Sequence, residues 1–193
     1  MPGQRRLLNQ LLIIIDMILA YISLFFILNT ESKEADLKRD FQALFKSNPE
    51  QALRIPCILP TTDLKLGISS LYGYRRHPID GTQKHHDGID IVVKKANVVA
   101  TANGIIRRVG FDKGYGNFIE IDHQNGFYTL YGHLSHIFVK PDDKVQILSI
   151  IGISGATGNV TGEHIHYEVK YKNTTLNPLN YILLLYDSIS SAH

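Results

Sequence analysis

The chain has 193 residues, 44% of them hydrophobic, with a formal net charge of +2 and a single cysteine. That is enough for one good core and a short accessory region. So small a charge, with basic pairs scattered at Arg75-Arg76, Lys94-Lys95 and Arg107-Arg108, argues against a nucleic-acid partner. Cys57 alone rules out an internal disulfide or a thiolate zinc site, and reads as a small buried apolar side chain.

Residues 1–30 form the first expected unit. The run Leu11–Leu28 (LLIIIDMILAYISLFFIL) is broken only by Asp16 and Ser23. As a helix it is about 27 Å long, close to the roughly 30 Å hydrocarbon core of a bilayer. Arg5 and Arg6 precede it, so the start stays in the cytoplasm and the bulk of the chain is exported. The rivals are a cleaved signal peptide, for which no A-x-A-like site follows the run, and a buried soluble helix. A twin-arginine signal has only the Arg pair in its favour. We read an uncleaved signal anchor, with Asp16 a costly blemish inside it.

Residues 31–68 form the second unit. Leu37, Phe41, Leu44 and Phe45 recur at helical spacing within Glu31–Lys46, with acidic residues early and Lys46 late, which predicts an amphipathic helix. Pro49, Pro56 and Pro60 then break any helix across Ser47–Ser70, which reads as a stalk and largely extended lead-in.

Residues 69–186 form the third unit, and its texture is β. The predicted strands are Ile89–Val93, Val98–Thr101, Gly104–Val109, Asn117–Asp122, Phe127–Gly132, Val145–Ile153 and Glu163–Lys170. Asn125-Gly126 predicts a type I′ turn with Phe118–Asp122 and Phe127–Tyr131 paired antiparallel. Leu179–Tyr186 closes the domain as a helix. No βαβ alternation supports a parallel sheet, so the fold class is mainly β, a compact antiparallel domain.

Two motifs carry the chemistry: His86-x3-Asp90 and His164-x-His166. Two imidazoles and a carboxylate suffice to hold a zinc ion with one position open, which is what makes a site catalytic. On a strand, His164, His166 and Glu168 share one face while Ile165, Tyr167 and Val169 line the other. One histidine of the pair can bind metal while the other handles protons. His86 and Asp90 would lie about 13 Å apart on a straight strand, so the backbone must bend between them, and Gly88 is placed to permit it. His133 supplies a third histidine in Tyr131-Gly132-His133. His85 is an alternative ligand to His86, His77 and His136 are ambiguous, and His123 and His193 read as surface residues. The competing reading of H-x-H is a polar solvent face.

The stretches Tyr72–Pro78, His86–Asp90, Tyr131–Ser135, Ser154–Gly158, Gly162–Glu168 and Leu176-Asn177-Pro178 resemble the lysostaphin/LytM-type zinc peptidases of family M23. The resemblance runs from about Ser69 to Tyr181. It implies an antiparallel β-domain with a groove across the sheet and one zinc ion held by His86, Asp90 and His166. It also implies that His133 and His164 are the paired catalytic histidines, without deciding which accepts the proton. Arg75 borders the groove in similar enzymes; it reads equally as a substrate contact or a surface arginine. Glu168 reads either as a partner orienting a ligand or as a solvent-facing carboxylate.

The resemblance therefore implies a zinc-dependent endopeptidase cutting peptidoglycan stem peptides or cross-links, a D,D-endopeptidase in its leading version. Its partners would be the peptidoglycan substrate and, through the N-terminal helix, the bacterial inner membrane, with the catalytic domain outside that membrane. The alternative is a non-catalytic LytM-like module that activates other wall hydrolases, which the complete ligand set disfavours.

Overall fold

The computed structural model describes residues 32–63, 65–76 and 81–190. The predicted membrane anchor, Leu11–Leu28, lies outside the described residues, as do His77 and His193. Among those described, no helix is long and apolar enough to cross a membrane. The chain divides into two compact units, Met1–Asp40 and Phe41–His193.

Residues 32–47 are helical (α1), as the spacing predicts. In the first unit this helix carries exposed ion pairs, Lys38 to Glu34 at 3.4 Å and Arg39 to Asp36 at 3.0 Å. In the second it buries Phe41, whose ring stacks on Phe45 with centroids 6.2 Å apart. One further turn, α2 (Pro49–Ala52), begins at Asn48, whose side-chain oxygen accepts the Gln51 N–H. The prolines that follow do not make a free stalk. Pro56, Cys57 and Pro60 are buried, the Cys57 N–H donates to the Thr101 carbonyl, and Thr61 bridges to Val98. Small apolar side chains let this lead-in pack flat instead of standing off in water.

The main sheet runs in the order β1 (Gly67–Ser70), β4 (Ile89–Val92), β12 (Ile165–Tyr171), β8 (Phe127–Leu134), β7 (Gly116–Asp122), β6 (Gly104–Asp112) and β10 (Lys144–Val145), with β13 (Thr174–Leu176) also paired to β12. A smaller sheet orders β5 (Asn97–Val99), β11 (Ile150–Ile153) and β9 (His136–Ile137). A separate hairpin joins β2 (Gly73–Arg76) to β3 (Gln83–His86). Every pairing between these strands is antiparallel. The fold is mainly β, as the strand-and-turn texture predicts.

Alternation does the sorting. Ile89 and Ile91, Ile119 and Ile121, Tyr131, and Ile165, Tyr167 and Val169 point into one core at 0% exposure. Each such aliphatic side chain contributes about 1.5–3 kcal/mol through burial. The interleaved residues Asp90, Glu120, His166 and Glu168 are thereby turned to the opposite face.

Several details depart from expectation. Short polar strands such as GISS and QKHH carry no apolar alternation and are not predicted from pattern. Val145–Ile153 is two strands, because the chain turns at Leu148 in the left-handed region (φ +69°). The Asn125-Gly126 hairpin pairs β7 with β8, but the positive φ values fall at Gln124 and Gly126, so the turn is not type I′. The closing helix, α3 (Leu184–Ser190), starts later than predicted, after a 3₁₀ turn at Pro178–Asn180.

His123 is not a surface residue; it is fully buried. Its Nδ1 lies 2.9 Å from the Asn103 carbonyl and its Nε2 2.9 Å from Thr129 Oγ1. From Thr129 a chain of buried hydroxyls continues through Tyr131 and Thr101 to Tyr167. Burial pushes the His123 imidazole down to about 4. The polar side chains satisfy one another, so a histidine at a hairpin end can be core.

Two loops meet almost backbone to backbone above the sheet. Gly116 (φ +64°) opens β7 and Gly158 (φ +81°) lies in the loop before β12. A Cβ on Gly116 would collide with the Thr157 carbonyl, and one on Gly158 with the Gly116 amide. Asn117 N–H donates to Thr157 Oγ1, which in turn donates to the Leu134 carbonyl.

Two outcomes follow from these contacts. The unfolded chain binds a proton at His123 near pH 6.5 while the folded chain binds it only near pH 4. Stability contributed by the neutral ring is therefore complete above pH 6.5 and lost as pH falls towards 4. Urea midpoints across that window should show this loss, and His123→Asn should reduce it by on the order of 3 kcal/mol. Gly116→Ala should lower unfolding free energy by about 2–4 kcal/mol in the same assay, through left-handed strain plus overpacking.

Candidate active site

The β4–β12–β8 register sets Asp90 directly beside His166, and His166 beside Gly132. His86 arrives from the end of β3, on the separate hairpin. Gly88 makes this possible differently from the expected bend: its φ is ordinary, but a Cβ would strike the Tyr167 carbonyl. The missing side chain lets the β3–β4 turn lie against β12. As a result His86 Nε2 lies 3.2 Å and His166 Nδ1 2.9 Å from Asp90 Oδ1. Among the described residues these three form the one group of His, Cys, Asp or Glu side chains whose ligand atoms converge closely enough to hold a metal ion.

Hydrogen bonds on the far sides of the rings decide which nitrogens are available. His86 Nδ1–H donates to the Leu71 carbonyl at 2.8 Å, leaving the lone pair on Nε2. His166 Nε2–H donates to Glu168 Oε1 at 3.0 Å, leaving the lone pair on Nδ1. Two lone pairs 3.1 Å apart, both facing a carboxylate oxygen, repel one another unless a positive charge sits between them. Burial would raise the Asp90 carboxyl and lower the His166 ring. Instead their mutual hydrogen bond and charge, with His86 and Glu168 adding to it, hold Asp90 well below the usual carboxylate range and push His166 up to about 9, so near pH 7 a proton on Nδ1 supplies that positive charge until a bound cation displaces it. The donor set suits a divalent cation such as zinc.

Glu168 is not solvent-facing. At 0% exposure it accepts from His166 Nε2 and from the Tyr115 hydroxyl at 2.8 Å on Oε1, and pairs with Lys170 Nζ at 2.7 Å on Oε2. Burial opposes its charge, but His166 and Lys170 outweigh it and bring the carboxyl down to about 2. It fixes the ring orientation of His166. Tyr115 was not singled out by any motif; it stands on the β6–β7 turn and is found only once that turn folds over β12.

His133 and His164 stand side by side, ring centroids 4.6 Å apart. His133 Nδ1–H donates to the Thr157 carbonyl at 2.9 Å, and His164 Nδ1–H to the Gly162 carbonyl at 2.8 Å. Each ring therefore offers a free Nε2, that of His164 lying 3.6 Å from Asp90 Oδ1. Burial lowers the His133 imidazole to about 4, so it is neutral near pH 7. Its backbone is left-handed (φ +64°), a strained geometry held by the His133 N–H bond to the Tyr115 carbonyl. His164 precedes β12 and bridges to Gly155. His85, the alternative ligand, lies instead edge-on to Tyr72 and Tyr74 with Nδ1 2.8 Å from Asp87, and His136 is exposed.

The five residues open on a groove of about 720 Å³, lined on one side by Ser69, Ser70, Arg75 and Arg76 and on the other by Tyr115 and Asn159–Glu163. The arrangement can bind a cation, present a neutral His133 imidazole beside His164, and accommodate an extended peptide.

Residues 84–178 match the sequence profile of peptidase family M23. The DD-carboxypeptidase/endopeptidase Mpg of Neisseria meningitidis is 43% identical over 117 residues, covering 60% of this chain and 27% of that protein. This chain thus spans about a quarter of the length of the curated relatives it matches. The catalytic domain of lysostaphin from Staphylococcus simulans matches with a TM-score of 0.54 at 31% identity, covering 61% of this chain and 91% of that one. A zinc-containing peptidase from Vibrio cholerae matches with a TM-score of 0.56 at 32% identity, covering 62% and 38%. The matched span contains His86, Asp90, His133, His164 and His166 together with both glycine-opened loops, and the chain belongs to peptidase family M23.

Proposed function

We propose that the protein is a peptidoglycan endopeptidase in which His86 Nε2, Asp90 Oδ1 and His166 Nδ1 hold one zinc ion. When bound, the ion supplies a Lewis acid beside the groove. The observation that carries the reading is the assignment of ring nitrogens: two imidazoles turn lone pairs onto Asp90, and two more turn theirs into the groove. His133 Nε2 and His164 Nε2 face the same reacting centre. One of them accepts the proton of the attacking water at Nε2, and that same proton is then available to stabilise the tetrahedral oxyanion and to pass to the leaving amine. Glu168 and Tyr115 keep His166 from rotating.

The substrate class follows from family relatives such as the Neisseria DD-carboxypeptidase/endopeptidase, and the D,D-bond of stem peptides is the leading version. Leu11–Leu28 is proposed as a single-pass anchor in the bacterial inner membrane, with the peptidase domain outside it. Fractionation should then leave the full chain in the membrane pellet, extractable by detergent and not by salt or carbonate. The non-catalytic alternative predicts neither bound zinc nor hydrolysis.

The purified full chain should contain about one zinc per chain, measured by atomic emission, and release new amines from isolated sacculi. His86→Ala should lose metal and hydrolysis together. His164→Ala and His133→Ala should keep the metal and lose about 10²- to 10⁴-fold in kcat/KM. Metal loss in the His164 or His133 variant would reverse the division of roles.

A further inference from the structure

The cationic wall of the groove has a job that the five-residue constellation does not use. Arg75 lies on β2, and its side chain is mostly covered, at 28% exposure. Its Nη2 comes only to 3.6 Å from Asp90 Oδ2, and its buried Nε has no hydrogen-bond partner. A guanidinium offers five N–H donors in a planar fork, so this one is held beside the reacting centre with most of its capacity unspent. Leaving such a donor buried and unmet costs free energy, which a ligand with a matching acceptor recovers.

The surroundings say which acceptor. Arg75 lines both the main groove and a side cavity of about 220 Å³ that Lys84 also lines, and Arg76 and Lys94 line the main groove. The nearby acids are already engaged. Glu163 accepts from Ser154 Oγ and the Lys95 amide, Glu168 from His166 and Tyr115, and Asp87 lies against His85. A planar fork in a positive, partly dehydrated wall matches a carboxylate, which it binds through two parallel N–H···O bonds.

We propose that Arg75 is a specificity residue that binds a free carboxylate on the substrate, borne on the carbon that carries the leaving amine. Its reach to Asp90 Oδ2 places that carboxylate within about one residue of the scissile bond. The inference rests on the peptidase reading and deepens it. It selects peptides whose leaving amine and a free carboxylate share one carbon, either a C-terminal amino acid or a cross-linked diamino diacid joined through its second amine. It disfavours internal bonds in neutral chains such as oligoglycine.

The test is a pair of stem pentapeptides ending in D-Ala–D-Ala, one with a free C-terminal carboxylate and one with a carboxamide. They are hydrolysed by the zinc-loaded full chain and by its Arg75→Gln and Arg75→Lys variants, with zinc content measured for each. Wild type should cleave the acid about 10- to 100-fold better than the amide in kcat/KM. Arg75→Gln should bring that ratio near one by losing activity on the acid alone, and Arg75→Lys should recover part of it, with metal content unchanged throughout. Equal cleavage of acid and amide by wild type, or an equal loss on both in Arg75→Gln, overturns the carboxylate role and leaves the peptidase standing. Loss of zinc in Arg75→Gln overturns it too, making Arg75 a positioning residue for Asp90. No cleavage of either peptide or of sacculi removes the peptidase reading, and this inference with it.

Discussion

Asp90 and His166 are cross-strand neighbours between β4 and β12, and this pairing is the constraint on which the groove depends. A slip of one residue would carry Asp90 and His166 to the core face and bring Ile91 and Ile165 out. The burial of Ile89, Ile91, Ile165, Tyr167 and Val169 therefore holds the site in place without touching it. Apolar burial is non-directional and large; the polar groups are directional and individually modest. The first sets the register and the second sets the ring angles.

Ring angles matter because an imidazole has two nitrogens and only one can serve the site. Each of the four groove histidines commits one nitrogen to a fixed acceptor: the carbonyls of Leu71, Thr157 and Gly162, or the Glu168 carboxylate. Three of those acceptors are backbone atoms, so tautomer choice is written into chain path more than into side-chain identity. That is why close loop approach at Gly116 and Gly158 reaches the chemistry, through the Thr157 carbonyl that orients His133.

Much of this was legible in the chain. The i, i+2 parity of Ile165, Tyr167 and Val169 against His166 and Glu168 separated core from groove, and the His-x3-Asp and His-x-His spacings located the donors. What was not legible depended on tertiary approach. Gly88 read as a hinge, yet it is a gap for the Tyr167 carbonyl. His123 read as surface because it ends a hairpin, yet a run of hydroxyls from the same core receives it. Tyr115 belongs to no spacing pattern, since its partner Glu168 lies on a strand distant in sequence. Local pattern reports which face a residue takes, but not which loop will come to cover it.

His86 differs from its two partners in where it is rooted. Asp90 and His166 belong to the main sheet, whereas His86 ends the two-stranded hairpin β2–β3. A two-stranded hairpin is marginally stable by itself. An ion gripped by all three donors is consequently a cross-link as well as a reagent, and its binding free energy is shared with the docking of that hairpin. Arg75 rides on the same hairpin. On the proposed reading, loading of the metal and assembly of the groove's cationic wall would be coupled, and the occupant of the reaction centre would also favour substrate recognition.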